Sequence, residues 1–200
     1  MLDLLLGVRR SELIALTWED VDFEKKSIRI NKSRARVINR EPKQGEGKYK
    51  YVLKGTKSKK SRRIVRLSDV AIQVLKNQKF EQEKMQLENK DIYNNYDNLI
   101  FTDEFGDYIK GERLLDNFHT LLDKAGVERH NIHDLRHTFC SFLINNKRTV
   151  KDVQTLLGHS SAQITLDLYT EQFEESEIEA LEGVTDCIPV EIQAKDVQLQ

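Results

Sequence analysis

The sequence has 200 residues, of which 38% are hydrophobic and 32% are charged, and its formal net charge is −1. This length and composition predict a single globular domain with one substantial core and a heavily charged surface, and they exclude a loop-dominated disulfide scaffold. The near-neutral net charge by itself argues against a nucleic-acid-binding protein.

The chain opens with an apolar segment, residues 1–8. This segment is far too short to span a bilayer and lacks the basic flank and cleavage site of a signal peptide, so we expect no membrane or export segment. Because it also lacks a helix start signal, we expect the chain to be truncated at its N-terminus. Cys140 and Cys187 have no metal-ligand spacing and predict reduced thiols, which are typical of a cytoplasmic protein.

The first predicted elements are one helix and a small sheet. Leucines at helical spacing over residues 9–17 place Arg9 and Glu12 one turn apart, with Arg9 near the start of the helix. Alternating apolar residues predict three strands, at Ser27–Asn31, Tyr49–Leu53 and Arg62–Leu67. The simplest arrangement is an antiparallel sheet in which the last two strands form a hairpin, with Lys57 at or near its turn.

The remainder of the chain is predicted to be mostly helical. A helix N-capped by Asp69 runs to about Leu87, and Leu99–Phe101 forms a short apolar segment. Apolar spacing and end signals such as Gly126 predict later helices over residues 114–125, 131–144, 149–157, 160–169 and 174–181. The predicted fold class is therefore α+β: a mostly helical domain with a small antiparallel sheet near the N-terminus, followed by a polar tail over residues 183–200.

The charges are segregated along the chain. Residues 29–66 contain fifteen Lys and Arg against two Glu, a local net charge of +13, whereas residues 171–200 contain nine acidic residues against one Lys, or −8. A basic segment of this density suits a phosphate backbone, although a solvated charged hairpin is the alternative. The side chains from which we predict nucleic-acid contacts are Arg34, Arg36, Lys59, Lys60 and Arg62.

The pentapeptide His133-Asp-Leu-Arg-His137 places three basic side chains on one face of a helix. A His pair at this spacing binds zinc in some proteins, but Asp134 is too short to act as the base of that motif and no third ligand is evident. His133 and Arg136 are instead suited to donate hydrogen bonds to one phosphate, with a surface helix carrying incidental basic residues as the alternative.

Two further residues lie near predicted helix ends. His159 follows a glycine that ends one helix and precedes Ser160, a natural N-cap for the next. Tyr169 closes that next helix. A tyrosine at a helix end is usually a partly buried amphipathic anchor, so Tyr169 by itself does not indicate catalysis.

In this order the motifs resemble the tyrosine recombinase (phage integrase) family, over most of the chain from Gly7 to about Phe173. The matching segments are Gly7-Val-Arg9-Arg-Ser-Glu12-Leu, Thr56-Lys57-Ser-Lys-Lys-Ser-Arg-Arg63, His133-Asp-Leu-Arg136, Leu-Gly-His159-Ser-Ser and Leu-Tyr169-Thr. Each motif is weak alone, but five in one order are distinctive. The resemblance implies an integrase-like catalytic domain over residues 1–182, without the core-binding domain that the family carries.

The resemblance also implies a reaction, in which DNA is cleaved and rejoined through a 3′-phosphotyrosyl intermediate with Tyr169 as nucleophile. The residues implied to stabilise the non-bridging oxygens of the transition state are Arg9, Arg136, His133 and His159. His133 is the candidate base, and Glu12 is expected to orient Arg9. Lys57 is the residue implied to protonate the departing 5′ oxygen, with Lys59 and Lys60 as rivals.

No cofactor, metal or ATP is required by this chemistry, because fixed protein charge meets the phosphate and the bond energy is retained in the phosphotyrosine. The implied role is site-specific recombination, as the integrase of a mobile element. Its partners are double-stranded DNA and further copies of the chain, which form a homotetramer on DNA and are monomeric when free. The alternatives are relaxation of DNA by a type IB topoisomerase-like reaction and a catalytically incompetent DNA-binding fragment. The segment after Glu174 packs either on a neighbouring protomer or on its own.

Overall fold

The computed structural model describes residues 1–41, 48–55, 62–95, 97–158, 163 and 165–166. Within them the helices are α1 (Leu2–Leu6), α2 (Arg10–Leu13), α3 (Asp69–Glu88), α4 (Gly111–Ala125), α5 (Ile132–Asn145) and α6 (Val150–Leu157). The strands are β1 (Val21–Asp22), β2 (Ser27–Ile30), β3 (Lys32–Ile38), β4 (Tyr49–Gly55) and β5 (Arg63–Arg66). The predicted class is confirmed, since a mostly helical domain carries a small antiparallel sheet near its N-terminus.

The strands form two antiparallel sheets. In the first, β2 lies between β1 and β5, with Ile28 opposite Val65. In the second, β3 pairs with β4 along their full length, from Lys32 opposite Gly55 to Ile38 opposite Tyr49. The side chains of Ile28, Ile30 and Val65 on the first sheet are buried, so this sheet supplies one wall of the core.

The predicted hairpin between Tyr49–Leu53 and Arg62–Leu67 is wrong, because β4 pairs with β3 and β5 pairs with β2. The connector after Gly55 therefore joins strands of two different sheets. The error arose at β3, a strand that was not predicted from the sequence. Arginine, lysine and serine alternate there with small and branched residues, and no position of β3 is fully buried, so the apolar alternation that marks a half-buried strand is absent.

Local capping signals account for most helix ends. The start of α3 is a small correction: its N-cap is Ser68, whose hydroxyl accepts a hydrogen bond from the Ala71 amide at 3.2 Å, and the predicted cap Asp69 lies in the first turn. The helices α5 and α6 begin after Asn131 and Thr149, each of which forms a capping box. These helices agree with the predicted ranges to within one or two residues.

The core has two parts. The larger one gathers side chains from α1, β2, β5 and α3, including Leu6, Ile28 and Leu75, and the smaller one joins α5 to α6 through Cys140 and Val153. Arg136 of α5 donates hydrogen bonds to the end of α1 and to the end of α6, so the seam between the two parts is polar. None of the helices in the described ranges is both long and apolar enough to cross a bilayer.

Candidate active site

Three arginines from separate parts of the chain meet at the C-terminal end of α6. The carbonyl groups there each accept a hydrogen bond from a different guanidinium: Leu156 from Arg63 at 2.8 Å, Leu157 from Arg136 at 2.7 Å and Gly158 from Arg9 at 3.3 Å. The last carbonyls of a helix have no partner within the helix and carry partial negative charge. They therefore attract the three cations and hold them close together.

Arg136 is buried, with 4% of the residue exposed. Its guanidinium also donates to the carbonyl of Gly7 at 2.6 Å, so it links α6 to the end of α1. Burial, together with the positive charges of Arg9 and Arg63, lowers the pKa of Arg136 to about 10. The side chain remains cationic at neutral pH, and such a desolvated cation interacts strongly with an incoming anion.

Arg9 is more accessible, with 34% of its side chain exposed. It is the N-cap of α2, where its backbone amide donates to one carboxylate oxygen of Glu12 at 3.0 Å and its guanidinium donates to the other at 2.9 Å. The one-turn spacing of the two residues makes this reciprocal arrangement possible. Glu12 therefore fixes both the backbone and the guanidinium of Arg9.

Glu12 is buried, and only 3% of its side chain is exposed. Burial raises the pKa of this carboxyl group, but the hydrogen bonds and charges of Arg63 and Arg9 outweigh that effect and lower it overall. The carboxylate is thus ionised and accepts hydrogen bonds from two arginines. This state suits an orienting group and not a proton carrier.

His133 lies in the first turn of α5, and its backbone amide donates to the side chain of the N-cap Asn131. Burial lowers the pKa of its imidazole, and the nearby charges of His137, Arg136 and Arg9 lower it further. The ring is therefore neutral at neutral pH and has a nitrogen that can accept a proton.

The rings of His133 and His137 pack edge to face, with centroids 5.0 Å apart. Across the described ranges no third His, Cys, Asp or Glu joins them in a group that could hold a metal ion. The two imidazoles are exposed, whereas Arg136 of the same helix points inward. The structure thus separates the pentapeptide into an exposed histidine pair and a buried arginine.

Asp3 lies on the inner side of the cluster and was not identified from the sequence. It is 6% exposed, and within the described chain its Oδ1 has no hydrogen-bond partner. Burial raises the pKa of this carboxyl group to about 7, against the opposing effects of the positive charges on the N-terminal amino group and on Arg136. Asp3 sits in a leucine-rich segment, where one acidic residue at an inward position was the available signal.

Arg63 is the second site residue that was not identified from the sequence. It was read only as the end of a lysine-rich motif, yet it alternates along β5 with the outward-facing Ile64 and shares its face with the buried Val65. A basic residue at an inward position of a strand must find a buried partner. Its place on the same face as Val65 was the signal from which Arg63 could have been identified.

The arginines predicted to contact nucleic acid have different environments. Arg34 stacks on the ring of Tyr108 at 3.4 Å, and only 11% of its side chain is exposed. Arg36 lies 4.0 Å from the ring of Tyr49 and pairs with a carboxylate on α4. Arg62 is exposed. A role for these side chains in DNA contact stays a prediction, as does that of Lys59 and Lys60, which lie outside the described residues.

The structure thus brings together four of the predicted site residues, namely Arg9, Glu12, His133 and Arg136. The other three, Lys57, His159 and Tyr169, lie outside the described residues. His159 comes directly after Gly158, the residue whose carbonyl binds Arg9. A cluster of positive charge with a neutral imidazole near it is suited to bind a phosphate and to take up a proton.

Comparison with known proteins shows that the chain is similar to recombinases and integrases. The sequence model of the phage integrase family matches residues 1–176. A tyrosine recombinase XerC-like protein of Caldanaerobacter subterraneus subsp. tengcongensis is 34% identical over 90% of this chain and 46% of its own length, and the integrase of Staphylococcus phage L54a is 29% identical over 83% and 45%. This chain therefore spans about half the length of these relatives.

Solved structures share the fold. The integrase of the transposon Tn1549, in complex with transposon right end DNA, superimposes with a TM-score of 0.66 at 24% identity, over 90% of this chain and 57% of that one. The XerH recombinase bound to its difH substrate gives a TM-score of 0.60 at 24% identity, over 87% of this chain and 42% of that one. At this level of identity the likeness establishes the architecture.

Proposed function

This chain belongs to the phage integrase family, and on that premise we propose that it cleaves and rejoins double-stranded DNA through a 3′-phosphotyrosyl intermediate, with Tyr169 as the nucleophile. The observation that carries the proposal is the convergence of Arg9 and Arg136 on adjacent carbonyls at the end of α6. Two guanidinium groups at one point supply the paired donors that a phosphodiester under attack needs.

In the first step the Tyr169 oxygen attacks the scissile phosphorus, and negative charge increases on the non-bridging oxygens. Arg9 and Arg136 stabilise this charge, and His159 adds a hydrogen bond. The phenol has an ordinary pKa of about 10, so its proton must be removed as the new P–O bond forms. His133 accepts this proton, a role supported by the lowered pKa of its imidazole.

The bond to the 5′ oxygen breaks as the phosphotyrosine forms. Lys57 donates a proton to that oxygen, which leaves as a hydroxyl group, and the 3′ end remains joined to Tyr169. Attack by a 5′ hydroxyl of another strand then reverses each proton transfer and releases the tyrosine. One phosphodiester is exchanged for another, so the cycle needs no ATP.

We assign this activity to the recombination of a mobile element in the cytoplasm, with a homotetramer assembled on DNA from free monomers. Support comes from the relatives, which include a phage integrase and a transposon integrase. The polar, acidic segment that begins at Glu174 is proposed to join neighbouring protomers in that tetramer. The paired basic and acidic segments of the sequence supply complementary charge for such contacts.

The nucleophile is tested with a library of nicked duplexes of random sequence. A nick beside the cleavage point releases the short fragment that carries the new 5′ hydroxyl, so rejoining cannot occur. The covalent complex is trapped and survives denaturing electrophoresis. We expect an adduct with the unmodified chain and none with Tyr169→Phe. As a matched control, Tyr93→Phe removes a hydroxyl that bonds Thr102 in the loop after α3, and it should keep the adduct. An adduct formed by Tyr169→Phe would refute the assignment.

The proton donor is tested by changing the leaving group. Sulfur in place of the 5′ bridging oxygen gives a thiolate leaving group that needs no proton. Lys57→Ala should therefore be slow on the oxygen substrate, by about 100-fold, and nearly normal on the sulfur substrate. Arg9→Ala and Arg136→Ala should be slow on both. If the sulfur substrate fails to restore Lys57→Ala while restoring Lys59→Ala, then the acid is Lys59.

A DNA-binding fragment is the second candidate, and the observation that favours it is that the chain spans about half the length of its relatives. The trapping experiment separates the two functions. Retention of duplex DNA on a native gel without any Tyr169-dependent adduct would identify the chain as a binding fragment.

A further inference from the structure

We propose that Arg63 is a positioning residue for the DNA-cleavage reaction: it holds Glu12 and the end of α6 so that Arg9 is presented to the phosphate. The inference rests on the proposed function and extends it to a residue outside the predicted catalytic set. In this assignment Arg63 does not itself reach the phosphate, because all three nitrogens of its guanidinium already donate to Glu12 or to the carbonyl of Leu156.

Arg63 contacts both Glu12 and the C-terminal end of α6. Its Nη2 donates to one carboxylate oxygen of Glu12 at 3.0 Å and its Nη1 approaches the other at 3.4 Å, a two-pronged arrangement. On the same guanidinium, Nε donates to the carbonyl of Leu156 at 2.8 Å. One side chain on β5 thus ties the residue that orients Arg9 to the helix end on which Arg9 and Arg136 converge.

Glu12 is shared between two arginines, and this sharing determines how Arg9 is held. Arg63 bonds most closely to Oε2 of Glu12, while the Arg9 guanidinium bonds to Oε1. Without Arg63, Oε2 of Glu12 would accept only the backbone amide of Arg9 and could accept a second hydrogen bond from its guanidinium. A bidentate pair between that guanidinium and a buried carboxylate is the stronger arrangement. Arg9 would then turn toward Glu12 and away from the phosphate. Arg63 prevents this, because it limits the guanidinium of Arg9 to one hydrogen bond with Glu12.

The packing around Arg63 leaves it little freedom. A Cβ atom placed on Gly158 would lie 2.8 Å from Nη1 and 3.2 Å from Cδ of Arg63. Gly158 also has a φ of 64°, a backbone conformation that favours glycine. The guanidinium is therefore enclosed between the C-cap of α6 and the carboxylate of Glu12, which suits a fixed support.

The test compares Arg63→Lys and Arg63→Met with the matched variant Arg66→Lys on the same strand, where Arg66 donates to the carbonyl of Lys25 on the exposed side. Adduct formation on the nicked library should slow by about 100-fold in the Arg63 variants, because small displacements of a catalytic group have effects of that size. Arg66→Lys should match the unmodified chain. Thermal unfolding of each variant is recorded alongside.

A neutral substrate separates positioning from folding. Replacing one non-bridging oxygen with methyl removes a negative charge, so cleavage of this methylphosphonate depends less on the arginines. If Arg63 acts through Arg9, its variants should lose less on the methylphosphonate than on the phosphate, as Arg9→Ala does. An equal loss on both substrates, in step with lowered thermal stability, would overturn the proposal.

A second readout requires no activity. Nitrogen NMR signals of the Arg9 guanidinium, assigned with Arg9→Lys, should move in Arg63→Met and stay in place in Arg66→Lys. Unchanged Arg9 signals in Arg63→Met would refute the positioning role. Absence of a Tyr169-dependent adduct from the unmodified chain would instead refute the proposed function, so the two failures are distinguishable.

Discussion

At the scale of single residues, burial makes the carboxyl group of Asp3 costly to ionise. It is buried, and its Oδ1 finds no hydrogen-bond partner in the described chain. Burial raises its pKa from the ordinary value of 3.8 to about 7. The folded chain therefore keeps a proton on Asp3 that the unfolded chain has already released, which makes stability depend on pH.

The sign of this dependence gives a prediction for Asp3→Asn. As pH rises from about 4 to 7, folding takes up a proton at Asp3, so this group lowers the free energy of unfolding across that window and leaves a constant penalty above it. A shift of three pKa units corresponds to at most roughly 4 kcal/mol. Asp3→Asn should therefore be more stable than the unmodified chain at pH 8, and the advantage should shrink toward pH 4.

Urea unfolding at a series of pH values measures this difference. Asp22→Asn is the control, because Asp22 is an exposed carboxyl group whose pKa is lowered by its contacts with Lys25. Its removal should not stabilise the fold at high pH. A stability gap between Asp3→Asn and the unmodified chain that stays constant from pH 4 to 8 would show that folding does not raise the pKa of Asp3.

At the scale of elements, three helices end in the same way. The C-caps of α1, α4 and α6 are Gly7, Gly126 and Gly158, each in the left-handed conformation. Their surroundings differ. A Cβ on Gly7 would lie 2.2 Å from Cδ1 of Phe139, whereas a Cβ on Gly126 would meet nothing within 4 Å. Backbone conformation alone demands glycine at Gly126, and backbone and packing together demand it at Gly7.

Alanine at the two positions should therefore have unequal effects. Gly126→Ala carries only the cost of the left-handed conformation, about 1 kcal/mol. Gly7→Ala also displaces Phe139 and disturbs the carbonyl that binds Arg136, for a total loss of roughly 3 kcal/mol. Denaturant unfolding followed by circular dichroism gives both values. Similar losses in the two variants would mean that Phe139 moves aside freely.

At the scale of the whole molecule, the net charge of −1 conceals a strongly basic segment and a strongly acidic one. Much of the basic segment lies on β3, β4 and β5 and on the connectors between them. A surface that binds the phosphate backbone releases counterions, so its affinity falls steeply with salt. Net charge is a poor guide here because phosphate contacts depend on local charge density.

Changing Lys59, Lys60 and Arg62 to Gln should reduce the slope of log affinity against log salt by up to about 3, since each phosphate contact contributes about 0.9. The measurement is a titration of duplex DNA at several salt concentrations. Changing the exposed Lys76, Lys84 and Lys90 of the α3 region to Gln alters the net charge equally. Equal slopes for the two triple variants would show that the predicted contacts are not made.

Much of the fold was predictable because its signals are local. Asn131, Thr149 and Gly158 mark helix ends through contacts with residues at most four positions away. Arg9 and Glu12 were correctly placed one turn apart for the same reason. Strand β3 escaped prediction because none of its side chains is fully buried, so its sequence lacks the apolar alternation of a half-buried strand.

The features of the candidate site likewise fall into those with local signals in the sequence and those without. The spacing of Arg9 and Glu12, the order of the motifs and the segregation of charge were determined by the sequence alone, because each depends on neighbours along the chain. The tertiary structure decided the strand pairing and the positions of Arg63 and Asp3. It also decided that the carbonyls of Gly7 and Leu157 enclose Arg136. Arg63 lies 51 residues from Glu12 and 93 from Leu156. Contacts across such separations form only when the core brings the elements together, and no local pattern encodes them.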